Sequence, residues 1–127
     1  MRVKKCPFCN ISEDRIIAAD TSVIAIGDEF PVAKGHTLVI PKRHVRSIFQ
    51  LDGKESEDLW KFLVRVRHLL ADKFKPDGFT IGINDGDAAG QTVSHAHMHI
   101  IPRYEGDVKD PRGGIRWVIP SKAKYWQ

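Results

Sequence analysis

With 127 residues, 42% of them hydrophobic and 28% charged, the chain is the size of one ordinary domain and can bury a core. No apolar run approaches the ~20 residues that span a bilayer, and the start, Met-Arg-Val-Lys-Lys, has no apolar signal-peptide stretch, so a cytoplasmic protein without a membrane partner is expected. A net charge of +4 favours anionic ligands but is too small to imply specific nucleic-acid binding.

The first motif is Cys6-Pro7-Phe8-Cys9, the only two cysteines, which excludes a disulfide framework. The pair fits a redox couple, two structural thiols or half of a tetrahedral zinc site. Arg15–Ala19 and Val23–Ile26 read as short strands joined by the turn residues Asp20-Thr21-Ser22. Residues 27–35 carry glycine, proline and charge without a period and read as a loop. His36–Ile40 is β-branched and apolar, which predicts a central strand, stopped by Pro41. His44 follows in a basic loop, and Ser47–Leu51 reads as a single helical turn.

Ser56–Phe74 is the one long helix, with Leu59, Trp60, Phe62, Leu63, Val66, Leu69, Leu70 and Phe74 forming its expected buried face. Acidic residues crowd its start, and Pro76 ends it. Phe79–Ile83 is another strand, residues 84–90 are a loop, and His95–Pro102 is the last strand. The tail carries Trp117, Tyr125 and Trp126, aromatics expected either to dock on the body or to serve a subunit contact. Strands, one long helix, then strands again lack βαβ alternation. The expected fold is therefore α+β: an antiparallel sheet of about five strands flanked by the long helix and a short helical turn.

His95, His97 and His99 alternate with Ala96, Met98 and Ile100, a period that places the three imidazoles on one face of a strand. Imidazole titrates near neutral pH, binds metals and acts as a nucleophile, so chemistry is expected here. Gln91 and Thr92, just before the histidines, offer hydrogen-bond donors, and Gly86 and Gly90 let the backbone approach closely. No carboxylate interrupts Gly90–Pro102 to repel an anion.

Gly90-Gln91-Thr92 followed by His95-Ala96-His97-Met98-His99-Ile100-Ile101 resembles the histidine triad (HIT) superfamily of nucleotidyl hydrolases and transferases. Asn84, Asp28, Gly35-His36 and Pro41-Lys42-Arg43-His44 match in kind, and the likeness extends over residues 6 to 104. The resemblance implies one HIT domain over residues 1–127, with the tail 105–127 less closely matched, and a homodimer. It implies a purine nucleotide substrate cleaved at the α-phosphate through a nucleotidyl-histidine, releasing a nucleoside monophosphate. His97 would be the nucleophile, with His99 and His36 supporting it. Asn84, Gly90, Gln91 and Thr92 would hold phosphate oxygens, and Asp28 the ribose. A structural zinc on Cys6, Cys9, His44 and His95 is implied as well, with no cofactor required for catalysis. The signals for a dinucleoside polyphosphate hydrolase and a nucleoside phosphoramidase conflict, so the leaving group stays open. Two rivals remain. A metal-dependent hydrolase would use the three histidines as ligands. A zinc-stapled nucleotide-binding module would lack catalysis.

Overall fold

Two apolar stretches broken by a polar turn open the fold. In the computed structural model, which describes residues 2–127, β1 (Ile16–Ala19) and β2 (Val23–Gly27) form a hairpin. The Asp20 N–H donates to the Val23 carbonyl at 2.8 Å, and the Asp20 carboxylate accepts the Thr21 N–H, which closes the turn. Next comes β3 (Thr37–Pro41), buried at every position, as its unbroken apolar run predicts. Then follow α1 (Gly53–Phe74), β4 (Gly78–Gly82), β5 (Met98–Arg103) and a single turn, α2 (Pro120–Ala123). The sheet order is β1-β2-β3-β5-β4 and every neighbour pair is antiparallel, so β3 is central.

Strand alternation gives the sheet two apolar faces. Val23, Ala25, Val39, Met98 and Ile100 face α1 and pack on Leu59, Phe62, Leu63, Val66 and Leu70. Ile24, Ile26, Leu38 and Ile40 face the other way, under Phe8, Ile11 and Ile16. Each of the larger side chains among these, removed from water, contributes about 1.5–3 kcal/mol before the entropy of ordering is subtracted. The N-terminal segment is thus drawn across the face opposite the helix.

α1 begins at Gly53, earlier than the Ser56 expected, because Asp52 and Glu55 form a reciprocal capping box that satisfies the first turn. Its buried stripe is narrower than the sequence period suggested: Trp60 and Leu69 are 63% and 49% exposed. Each sits one residue, roughly 100° of helical rotation, from a buried leucine, Leu59 and Leu70 respectively. The turn expected at Ser47–Leu51 is a 3₁₀ turn at Ile48–Gln50 capped by Ser47.

The last strand starts later than expected, at Met98 rather than His95. Before it, the Ala96 N–H donates to the Val45 carbonyl at 2.7 Å instead of joining the ladder with β3. The chain leaves the sheet there to bring His95 and His97 toward the N-terminal segment. Beyond β5 the tail folds back on β4. Ile115 lies over Gly82, within ordinary contact distance of where a side chain would begin. Arg112 stacks over Trp126 at 4.6 Å and Arg116 over Tyr125 at 4.8 Å, and the Trp117 indole N–H donates to the Arg112 carbonyl. No helix among the described residues is long and apolar enough to cross a membrane.

Candidate active site and metal cluster

Four residues distant in sequence meet where the N-terminal segment crosses the sheet. The donor atoms of Cys6, Cys9, His44 and His95 all lie within 4.8 Å of one another. Cys6 Sγ is 3.4 Å and Cys9 Sγ 3.5 Å from His95 Nδ1; His44 Nδ1 is 3.3 Å from Cys9 Sγ and 3.2 Å from His95 Nδ1. A tetrahedron with zinc–ligand bonds of about 2.0–2.3 Å has edges of roughly 3.3–3.8 Å, so these separations match its edges. The His95 Nε2–H donates to the Pro41 carbonyl at 2.7 Å, which leaves the Nδ1 lone pair facing the other donors. Burial pushes the Cys6 thiol above its ordinary range, a cost that a cation among the four donors would reverse. The cluster could hold a metal ion, and four protein ligands leave no open coordination position.

Beside it runs a cleft of about 490 Å³. His36, His97, His99, Asp28, Asn84, Gly90 and Thr92 all line it. The hydrogen bonds fix the imidazole protons. His97 Nδ1 lies 2.9 Å from the His95 carbonyl and must donate to it, so the Nε2 lone pair of a neutral His97 is free. The Val32 N–H donates to His36 Nδ1 at 3.1 Å, which puts the His36 proton on Nε2. That N–H donates to His99 Nδ1 at 2.9 Å, and the His99 proton is therefore on its own Nε2. Asp28 Oδ2 stands 3.3 Å from His36 Nε2 and 3.8 Å from His99 Nδ1, while Oδ1 accepts the Phe30 N–H. Burial pushes His36 and His99 below the ordinary imidazole range; Asp28 opposes this in both. The hydrogen bonds thus leave His97 Nε2 without a protein partner among the described residues, facing the cleft beside an available N–H of His99.

Sequence and structure part over Gln91. Its side chain is buried and does not line the cleft. Its amide donates to the Arg46 and Val93 carbonyls, each at 2.9 Å, and its oxygen accepts the Gly86 N–H at 2.9 Å. Gln91 thus ties the loop of Asn84 and Gly90 to the loop carrying His44. Gly90 has φ of 90°, the left-handed region that glycine adopts without strain. The cleft also holds residues that the sequence did not single out, among them Phe8, Arg15, Glu29 and Phe30. The only signal for them was an apolar side chain in a polar loop at Phe30 and a charge at a strand start at Arg15.

Comparison with known proteins identifies the family. A family model described as HIT domain matches residues 10–106. "Protein hit" of Bacillus subtilis is 38% identical over 109 residues, spanning 82% of this chain and 75% of that one. A bis(5'-adenosyl)-triphosphatase of Dictyostelium discoideum is 45% identical over 80 residues, covering 63% of this chain and 54% of its own. A crystal structure of a Zn-bound histidine triad family protein from Mycobacterium smegmatis superposes with a TM-score of 0.73 at 33% identity, over 84% of this chain and 80% of that one. With its histidine row, its five-stranded antiparallel sheet and these likenesses together, the chain belongs to the HIT domain family.

Proposed function

We propose that the protein hydrolyses or transfers nucleotides at the α-phosphate through a nucleotidyl-histidine on His97, releasing a nucleoside monophosphate. The observation that carries this reading is the orientation of His97: its Nδ1–H is held by the His95 carbonyl, and its Nε2 lone pair is left for a cleft lined by phosphate-sized donors. In the first step Nε2 attacks phosphorus, a P–N bond forms, and the P–O or P–N bond to the leaving group breaks with its electron pair. In the second, water attacks phosphorus, the P–N bond to His97 breaks, the ring recovers its lone pair and the water's proton passes to solvent. The His99 Nε2–H, the Asn84 amide, the Thr92 hydroxyl and the backbone near Gly90 would stabilise charge on the phosphoryl oxygens. Asp28 would take the ribose hydroxyls. Gln91 would act by holding the Asn84–Gly90 loop rather than by touching phosphate. The naming of one relative as a bis(5'-adenosyl)-triphosphatase supports a purine dinucleoside polyphosphate among the substrates.

Structural zinc on Cys6, Cys9, His44 and His95 belongs to the same reading, supported by the tetrahedral separations and by the Zn-bound relative. When bound it would fix the N-terminal segment to the approach to β5, and no catalytic step passes through it. A cytoplasmic homodimer formed by the whole chain, tail included, completes the proposal. It is supported by exposed Trp60 and Val64 one turn apart on α1, with exposed Phe49 beside Trp60 in a shallow hollow.

A panel of diadenosine polyphosphates, adenosine phosphoramidate and adenylyl sulfate tests the enzymatic reading. Wild-type protein releases AMP from at least one of them and retains activity in chelator, while His97→Ala reduces turnover by at least 1,000-fold, on the order expected for losing a nucleophile. Full activity in His97→Ala, or none in wild type with any compound, refutes it. Activity that tracks metal refilling of His97 and His99 would favour the metal-dependent hydrolase instead.

A further inference from the structure

The cleft is chemically uneven. Across the sheet, Ile16, Ile26, Leu38 and His99 pair in one continuous rung from β1 to β5. Strands are spaced by about 4.8 Å, so the start of β1 lies about 14 Å from His99. Arg15 immediately precedes that start and lines the cleft. Glu29 lines it from the loop after β2. The lining also includes the apolar side chains of Phe8, Phe30, Val32 and Leu38, with the Phe8 ring 5.0 Å from that of His97. No ion pair among the described residues includes Arg15 or Glu29. A guanidinium and a carboxylate thus share one cleft and leave each other unpaired.

We propose that Arg15 and Glu29 read the nucleobase and select guanine over adenine. This inference rests on the reading that a nucleotide lies with its α-phosphate at His97 and its ribose at Asp28. The nucleoside then runs across Leu38 toward β1, and its base arrives between the aromatic side chains and the two charges. Arginine is always protonated and offers a planar fork of donors. Guanine presents two acceptors, O6 and N7, to such a fork, whereas adenine presents one acceptor and an amino donor that opposes the guanidinium. On its other edge guanine carries the N1–H and N2–H donors, which suit the Glu29 carboxylate; adenine has an N1 acceptor there, which the carboxylate repels. Charge complementarity therefore points the same way at both edges. Phe8 and Phe30 accept any base, so they contribute affinity but no discrimination.

Calorimetric titration with GMP, IMP and AMP tests this without requiring turnover. Wild-type protein should bind GMP more tightly than AMP by on the order of tenfold, the scale of one bidentate base contact. IMP, which keeps O6, N7 and N1–H but lacks the 2-amino group, should fall between them. Arg15→Ala should shrink the advantage of both GMP and IMP over AMP to the part that Glu29 reads, and Glu29→Gln should narrow the gap between GMP and IMP. Thermal melts of both variants should match wild type, since neither side chain holds an ion pair in the fold. Equal or tighter binding of AMP by wild type overturns the base assignment and leaves the nucleotide reading intact. So does a GMP preference that is undiminished in Arg15→Ala. Failure of all three nucleotides to bind overturns the nucleotide reading, and the base assignment with it.

Discussion

His95, His97 and His99 are the same side chain at the same spacing, and their neighbours give each a different task. His95 is fully buried, donates from Nε2 to Pro41 and turns Nδ1 to two cysteines. His97 donates from Nδ1 to a backbone carbonyl and keeps Nε2 open. His99 accepts at Nδ1 from His36 and keeps a proton on Nε2. The depressed values of His36 and His99 have a consequence for stability. An imidazole held neutral in the fold binds fewer protons than the unfolded chain once pH falls below its ordinary value near 6.5. Unfolding is then favoured by acid. The contribution of these two rings should be flat above about pH 7 and should decline as pH drops through 6.5 and below. Denaturant titrations at pH 7.5 and 5.5 measure it, and His36→Gln should shrink the difference between them. An acid limb unchanged in that variant would assign it to other groups.

At the scale of elements, the loops hold the site and the sheet holds the loops. The segment after β3 is fastened to the helix start by a bidentate pair between Arg43 and Glu55, which pulls the Glu55 carboxyl down to about 2. The same Glu55 closes the capping box of α1, so the loop carrying His44 and the helix N-terminus share one charged joint. On the other side Gln91 links that loop to the Asn84–Gly90 segment through three backbone groups. Gln91→Ala should destabilise the fold by about 1–3 kcal/mol, the cost of leaving buried backbone groups unpaired. It should lower kcat more than it raises KM, because the loop donors rather than the base contacts would drift. Denaturation and steady-state kinetics on the same preparation check both. A rise confined to KM would argue for direct substrate contact by Gln91.

For the whole molecule, the Cys6-Cys9-His44-His95 cluster bears on stability and the exposed Trp60 on the proposed self-association. If Cys6, Cys9, His44 and His95 hold zinc, metal analysis of freshly purified protein should find one equivalent per chain. Chelation or His95→Ala should then lower Tm by several degrees, on the scale of the few kcal/mol that such ligands contribute to folding. His97→Ala should leave both metal and Tm unchanged. Protein that carries no zinc and melts identically in chelator would remove the metal from the account. Trp60→Asp places a charge on the exposed α1 surface and should convert a dimer to monomer by light scattering, with the far-UV spectrum preserved. A wild-type monomer at tens of micromolar would overturn the homodimer.

Much of this was legible in the sequence, for reasons local to the chain. Period-two alternation marked the histidine strand, the turn residues Asp20-Thr21-Ser22 marked β1 and β2, and the burial of all of β3 follows from its unbroken apolar run. The long helix was legible from its period, although its start was set by the Asp52–Glu55 box rather than by the first apolar residue. Resemblance to the HIT family joined His36 and Asp28 to the histidine row, and the geometry brings them within hydrogen-bonding or near-contact distance. The exposure of Trp60 and Leu69 was not legible, because a period gives a helix face but not the width of the sheet beneath it. Nor was the late start of β5, since alternation continues through His95 and His97 whether or not a neighbouring strand accepts their hydrogen bonds.

By itself the sequence determined the element order, the central strand, the residue types of the site and the family. The tertiary structure alone decided which nitrogen of each imidazole carries its proton, because the partners that fix this are backbone groups: Pro41, Val32 and the His95 carbonyl. It alone turned Gln91 away from the cleft and brought Arg15 and Glu29 into it. The physical reason is common to these cases. Side-chain chemistry is written in the residue type, but hydrogen bonding and charge pairing depend on which distant backbone and side-chain groups the fold places within about 3 Å.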